Sequence, residues 1–335
     1  MFLVLVLIAG GVSAGTIGYV NSCKAGSGPH DPVKVTIPQG ASGGDVVNIL
    51  HGAGVAKCGG LVGRFLLRRD PRSGSIRAGT YHLTTNMTWD QALDVITAAP
   101  NTAPTKSLPI PEGFRLTQIA ARVQGIFRIP AKQFMRAAGS GKYTLPPYLP
   151  EGKKSPEGFL FPAIYDVVLK GVSADSIIRE MLDRFDAEAK TLPWDRTKAL
   201  GVSPYEAVIV ASMIEKEAAI DRDRPLISAV IYNRLKAGMP LGIDATLLYD
   251  DPTPGDGTLT DSDLRSNSPY NTRKFTGLPP TPIASPGDKS LEAALEPAHV
   301  DYLYYVLCPK DGTGRHRFSK SYDAFLHNKS ECLGS

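Results

Sequence analysis

The chain is poor in the residues that build metal and redox centres. Its 335 residues hold four cysteines (Cys23, Cys58, Cys308 and Cys332) and six histidines. No two cysteines are spaced as CxxC, which excludes a zinc knuckle and a thioredoxin-type motif. The histidines form no cluster with ligand spacing, so neither a metal nor another cofactor is expected. A GxSxG nucleophile elbow and a Gly-rich phosphate loop are both absent, which argues against a serine hydrolase and a nucleotide-binding enzyme. Net charge is only +4 and no basic stripe is present, so nucleic acid is not an expected partner. A weak positive balance suits an anionic polymer or surface, and equally simple solubility. Outside the cytoplasm some cysteines can pair, but connectivity is not legible. Cys308 follows the apolar run Tyr304 to Leu307 and reads equally well as a buried free thiol.

Charge is also missing from residues 1 to 20, MFLVLVLIAGGVSAGTIGYV. About 20 apolar residues cross the hydrocarbon core of a bilayer. A retained single-pass anchor over 1–21 is the first expectation, with everything that follows outside the plasma membrane. The missing basic flank suits a start that omits a cytoplasmic stub. Three other readings stay open. Ser13-Ala14-Gly15 offers a cleavage site for a signal peptide, Cys23 a lipidation site behind a poor Val20-Asn21-Ser22 lipobox, and the segment itself a buried core helix.

Residues 22–32 are rich in Gly, Pro and Ser and read as a linker. Val33 to Ile37 alternates as a half-buried strand does. Helices are expected over 43–53, 59–68 and 89–98, with a strand between the last two, making a small α+β module over 33–105. A weak repeat follows. Val35-Thr36-Ile37-Pro38-Gln39-Gly40 is echoed by Leu108-Pro109-Ile110-Pro111-Glu112-Gly113, each a strand, a turn and a helix, with Glu112 read as a turn or cap residue. Beyond a Gly/Pro-rich stretch at 139–156, helices are expected over 173–190 and 204–220. Residues 250–290 are dense in loop formers, and loops of that length are usually functional. A short helix over 290–296, a strand over 302–308 and a helix over 319–329 close a second domain over 106–335. The fold class is therefore α+β.

The chemistry is expected on Pro204 to Ala218. Ser203 is placed to cap a helix and Pro204 to open it. Ala207, Val210, Ala211, Ile214 and Ala218 recur as the apolar stripe of a packed helix. Glu215 and Glu217 flank that stripe. A carboxyl shielded by apolar walls has a raised pKa and can serve as a general acid near neutral pH; the plainer reading makes both solvated rim residues beside Lys216. Downstream, Asp244 and Thr246, then Tyr270 and Asn271, sit in proline-braced loops. That mixture of aromatic faces and directional hydroxyl and amide groups suits a sugar site.

Taken in order, these segments resemble the YceG-like family, the MltG-type endolytic murein transglycosylases. The carrying pieces are IPEGF at 110–114, EGFLFPAIY at 157–165, ASMIEKE at 211–217, IYNRLKAGMPL at 231–241, DAT at 244–246, SPYNT at 268–272, GLPPTPIASPG at 277–287 and DYLYYV at 301–306. The resemblance implies a membrane anchor, a LysM-like module and a transglycosylase domain distantly similar to lysozyme-like enzymes. It implies cleavage of the β-1,4 bond between N-acetylmuramic acid and N-acetylglucosamine, with 1,6-anhydro ends, in glycan strands near the membrane. Peptidoglycan synthases are implied partners. It places the essential acid in the EKE segment: Glu217, since the family often reads EKET, with Glu215 the alternative because Ala218 replaces the hydroxyl residue. Asp244, Thr246, Tyr270, Asn271 and Glu157 are the implied substrate-positioning residues, and Glu157 reads equally as a helix cap. The family's Asp-Pro-Thr stands here as Asp244-Ala245-Thr246. Two other functions stay open. One is a non-catalytic glycan-binding scaffold; the other is a hydrolytic muramidase with Asp244 as second carboxylate.

Overall fold

The computed structural model describes residues 19–20, 22–23, 31–98, 104–250 and 259–334. The expected membrane anchor falls outside them apart from Tyr19 and Val20. Among the described residues no helix is long and apolar enough to cross a membrane. The chain divides into two compact units, Met1–Ala103 and Pro104–Ser335.

In the first unit, β1 (Pro32–Ile37) pairs antiparallel with β2 (Gly79–Thr84), Val35 opposite Tyr81. Between them run α1 (Gly43–Gly52) and α2 (Gly60–Arg69), and α3 (Trp89–Thr97) follows β2. The alternation read from sequence buries Val35 and Ile37 against Val47, Leu50, Leu93 and Ile96. Both Ser42 and Thr88 form capping boxes, with Asp45 and Gln91 respectively. The expected linker needs correction at its start. Cys23 is buried and disulfide-bonded to Cys58. Closing a loop of 35 residues stabilises the fold by about 4 kcal/mol in the chain-entropy picture. The same bond removes Cys23 as a lipid acceptor.

In the second unit, β3 (Thr105–Pro109) pairs with β4 (Ile164–Val168), and β5 (Tyr304–Leu307) with β6 (His316–Ser319), both antiparallel. Besides a single helical turn at Thr197–Leu200, the α-helices are α4 (Leu116–Phe127), α5 (Ala131–Ala138), α6 (Ala174–Ala189), α7 (Pro204–Glu217), α8 (Arg224–Lys236), α9 (Asp244–Asp250), α10 (Asp261–Arg265), α11 (Asp288–Leu295) and α12 (Tyr322–Leu333). The strand-turn-helix repeat is real: Gly40 and Gly113 both take left-handed φ, +80° and +73°, before α1 and α4. Both cysteines of the C-terminal half are paired, Cys308 with Cys332, so the free-thiol reading of Cys308 is overturned.

The axis of this unit is α7. Ser203 accepts the Glu206 N–H while the Glu206 carboxylate accepts the Ser203 N–H, and Pro204 occupies the first turn. Eight consecutive residues, Ala207 to Ile214, are buried, so the helix is apolar all round and not merely striped. It packs against α8, α9 and α11. It is also shorter than its periodicity suggested. It ends at Glu217, and Ala218 turns to extended backbone (φ −74°, ψ 116°). The two glutamates therefore belong to the last turn of a core helix.

Candidate active site

At about 100° per residue, Glu215 and Glu217 point to nearly opposite sides of that last turn. Their surroundings differ accordingly. Oε2 of Glu215 accepts from Ser290 Oγ at 2.7 Å and from the Gly287 N–H at 3.2 Å, and pairs with Arg224 at 3.2 Å. Arg224 also donates to Ser290 and, through Nε, to Asp221. The Glu215 and Arg224 side chains are only 7 % and 10 % exposed. Glu112 packs onto this cluster: a Cβ at Gly287 would overlap its carboxyl. Burial, and then the neighbouring Glu215 charge, push the Glu112 pKa up. The IPEGF turn is stitched here by Gly113 N–H to Ser285 O and Ser285 N–H to Phe114 O, each 2.8 Å.

Glu217 is partly buried, and its carboxyl has one direct donor among the described residues. The Tyr305 hydroxyl donates to Oε2 at 2.9 Å. Burial raises the Glu217 pKa, the Tyr305 bond opposes that rise, the Asp244 charge adds to it, and the Arg273 charge opposes it. A carboxyl so placed holds its proton to a higher pH than a solvated one and regains it readily, which general acid–base work requires.

Asp244 and Arg273 are brought together by their loops. The Thr272 hydroxyl accepts the Ile243 N–H at 3.0 Å and lies 3.0 Å from the Thr246 hydroxyl, and Gly242 N–H donates to Thr272 O at 2.8 Å. These bonds lay the DAT and SPYNT segments side by side and leave the next polar residues facing each other. Arg273 Nε donates to Asp244 Oδ1 at 2.5 Å, both side chains about half exposed. The 277–287 run is fixed to α7 itself, where Ile283 N–H donates to the buried Ser212 hydroxyl at 3.0 Å.

Of the other sequence-predicted residues, Thr246 and Asn271 face inward. Thr246 is fully buried and donates to Ile243 O. Asn271, equally buried, donates to Leu264 O and Ser266 O and accepts from the Arg273 and Lys274 N–H groups. With every polar atom engaged, each holds a loop and has nothing left for a ligand. Glu157 behaves as a helix cap: both its oxygens lie within 3.1 Å of the Leu116 N–H at the start of α4, and the Tyr249 hydroxyl donates to it. Burial lifts its pKa to about 7. Its neighbour Gly158 has φ +85°, and a Cβ there would overlap Pro282. Tyr270 is partly buried, with its ring on Tyr249 and its hydroxyl 2.8 Å from that of Thr281. Tyr305, Arg273 and Arg224 were not singled out from sequence, although Tyr305 lies within DYLYYV. A cavity of about 830 Å³ opens beside the first turns of α7, lined by Lys153, Tyr205, Tyr232 and Lys236; Glu217 does not line it.

The chain is similar to known proteins over nearly its whole length. It is 34 % identical to the endolytic murein transglycosylase of Bacillus subtilis, over 82 % of this chain and 78 % of that protein. Its identity to the endolytic murein transglycosylase of Streptococcus pneumoniae is 31 %, over 84 % of this chain but only 55 % of that longer protein. A crystal structure of a yceG-like protein from Listeria monocytogenes is 33 % identical, covers 90 % of this chain and 99 % of its own, and superposes with a TM-score of 0.59. The family model described as YceG-like matches residues 35–331, and the chain belongs to the YceG-like family.

Proposed function

We propose that this chain is an endolytic peptidoglycan lytic transglycosylase in which Glu217 is the single acid–base group. The observation that carries this reading is the contrast at the end of α7. Glu215 is held in a buried ion pair, whereas Glu217 sits in a desolvated position with one hydrogen-bond donor among the described residues. The relatives named endolytic murein transglycosylase support the substrate and the reaction class.

In this mechanism Glu217 gives its proton to the glycosidic oxygen as the bond from C1 of N-acetylmuramic acid breaks. The resulting carboxylate takes the proton of that sugar's C6 hydroxyl, and O6 closes onto C1 as a 1,6-anhydro ring. A hydrolytic glycosidase needs a second carboxylate for nucleophile or base. An intramolecular hydroxyl removes that need. Asp244 and Arg273 border the acid as a balanced pair that orients the sugar and trims the Glu217 charge. Tyr270 contributes a ring face. Thr246, Asn271 and Glu157 act one step back, holding the loops and the start of α4.

The setting we propose is extracytoplasmic. All four cysteines are paired, and disulfides persist in oxidising compartments. The uncharged N-terminal segment serves as a single-pass plasma-membrane anchor, so cleavage falls on nascent strands close to the membrane and ends their elongation beside peptidoglycan synthases. The first unit, with its own core and disulfide, serves as a LysM-like glycan-binding module, and the second is distantly lysozyme-like. Digestion of peptidoglycan with the purified protein, followed by mass analysis, tests the reading. Anhydro-terminated fragments are expected. Fragments with reducing ends would mean hydrolysis with Asp244 as second carboxylate, and no cleavage would mean a glycan-binding scaffold.

A further inference from the structure

The donor to Glu217 arrives from 88 residues away, on a hairpin that is braced at every side. Arg234 Nε donates to Leu303 O at 2.5 Å, and Asn233 Nδ2 to Val300 O and Tyr302 O at 2.8 and 2.9 Å, so the approach to β5 is fixed to α8. Within the hairpin Tyr305 is paired with Phe318. The Asp223 carboxylate, 3 % exposed, accepts the backbone N–H of His316 at 2.7 Å and lies 3.0 Å from its Nδ1. That holds the imidazole edge-on to the Tyr305 ring, centroids 5.4 Å apart and planes at 86°. Immediately after β5, Cys308 is bonded to Cys332 of α12. The backbone that carries Tyr305 is therefore held against the end of α7, with the imidazole of His316 against one edge of the ring.

We infer that Tyr305 is a positioning residue that commits Oε2 of Glu217 to the protein, so that Oε1 is the oxygen that exchanges a proton with the substrate. The inference rests on Glu217 being the acid–base group. A phenol donates one proton and keeps it here, because burial first, and then the adjacent Glu217 charge, hold the Tyr305 pKa well above its ordinary value. The carbonyl oxygen of a neutral carboxyl is a better acceptor than its hydroxyl oxygen, so with Tyr305 donating to Oε2 the proton of the neutral acid sits on Oε1. In cleavage the Oε1–H bond breaks, the proton goes to the glycosidic oxygen, and the electron pair of the C1–O bond leaves with that oxygen. The new carboxylate is met by an O–H donor already in place, and a hydrogen bond to a charged acceptor is the stronger kind. In closure the C6 hydroxyl proton returns to Oε1 while O6 bonds to C1. Tyr305 thus favours the ionised state in the middle of the cycle without blocking either proton transfer.

The other charged groups facing this pair are Asp244 and Arg273 around Glu217, and Arg234 and Asp244 around Tyr305. None is altered by removing the phenol oxygen. In Tyr305→Phe the Glu217 pKa loses a group that holds it down and must rise. The acid then stays protonated to higher pH, and the alkaline limb of the activity profile moves up.

The test uses the full chain, peptidoglycan as substrate, and a carboxyl carbon-13 NMR titration with the Glu217 signal assigned by its loss in Glu217→Gln. In Tyr305→Phe both the NMR midpoint and the alkaline limb of kcat/KM are expected to rise by about one pH unit, with kcat down roughly tenfold and KM little changed. A ring-fluorinated tyrosine at 305, which keeps the packing and strengthens the donor, is expected to move the midpoint down. An unmoved midpoint in both variants would overturn the inference, as would a rise in KM alone. Wild-type cleavage by Glu217→Gln would overturn the acid–base assignment itself; its loss together with unmoved midpoints would overturn only the role of Tyr305.

Discussion

Two sides of one helical turn separate structure from chemistry in this protein. On the Glu215 side, a buried arginine, a serine hydroxyl and a backbone amide converge on one carboxylate oxygen. These three donors occupy that oxygen and tie the side chain to α8 and α11, which leaves it poorly placed to reach a substrate. On the Glu217 side, desolvation and the Asp244 charge favour the neutral form, while the Tyr305 hydroxyl in direct contact and the Arg273 charge favour the charged one. The same residue type, two positions along the chain, becomes a brace on one side and a candidate acid on the other. Burial alone does not make the difference. What decides it is whether a cation is paired directly with the carboxylate, as Arg224 is with Glu215.

The larger effect is expected on the braced side. Glu215→Ala leaves Arg224 buried with Asp221 as its one remaining direct ion pair among the described residues, and removal of one member of a buried ion pair costs about 3–5 kcal/mol. A thermal or urea melt of this variant is expected to show that loss, while the fraction still folded keeps its cleavage rate. An unchanged melt would mean that the Arg224 cluster is not structural. The smaller effect lies on the chemical side. Asp244 pushes the Glu217 pKa up, so in Asp244→Asn the acid is deprotonated at lower pH. The alkaline limb of the pH–rate profile is expected to move down by about half a unit, since the pair is half exposed and solvent screens it. A shift upward would contradict the electrostatic role given to Asp244.

Much of the fold was legible because local signals agreed. Ser203, Pro204 and the apolar periodicity announced α7, and the helices expected over 43–53 and 89–98 formed as α1 and α3, capped by Ser42 and Thr88. The helix's end was not legible, because Ala218 is as helix-compatible as its predecessors and only the tertiary turn stops it. β4, β6 and α9 were missed for a related reason. Four- to seven-residue elements take their definition from a partner distant in sequence, as β5 does for β6. Both glutamates were picked out, but the partners that tell them apart, Arg224, Gly287 with Ser290, and Tyr305, come from three separate stretches of chain. Thr246 and Asn271 were read as substrate-facing because a polar loop residue looks the same in sequence whether it binds sugar or its own backbone. Disulfide connectivity likewise depends on which ends meet in space.

Our assignment of the acid is Glu217 and not Glu215. It is tested by digesting peptidoglycan with Glu217→Gln and Glu215→Gln side by side, rates corrected for the folded fraction from matched melts. Glu217→Gln is expected to keep the wild-type melt and lose at least about a hundredfold in the release of anhydro-terminated fragments, as loss of a general acid–base group does. Glu215→Gln is expected to melt lower and cleave at close to the wild-type rate per folded molecule. The reverse pattern, activity kept in Glu217→Gln and lost in a well-folded Glu215→Gln, would contradict the account.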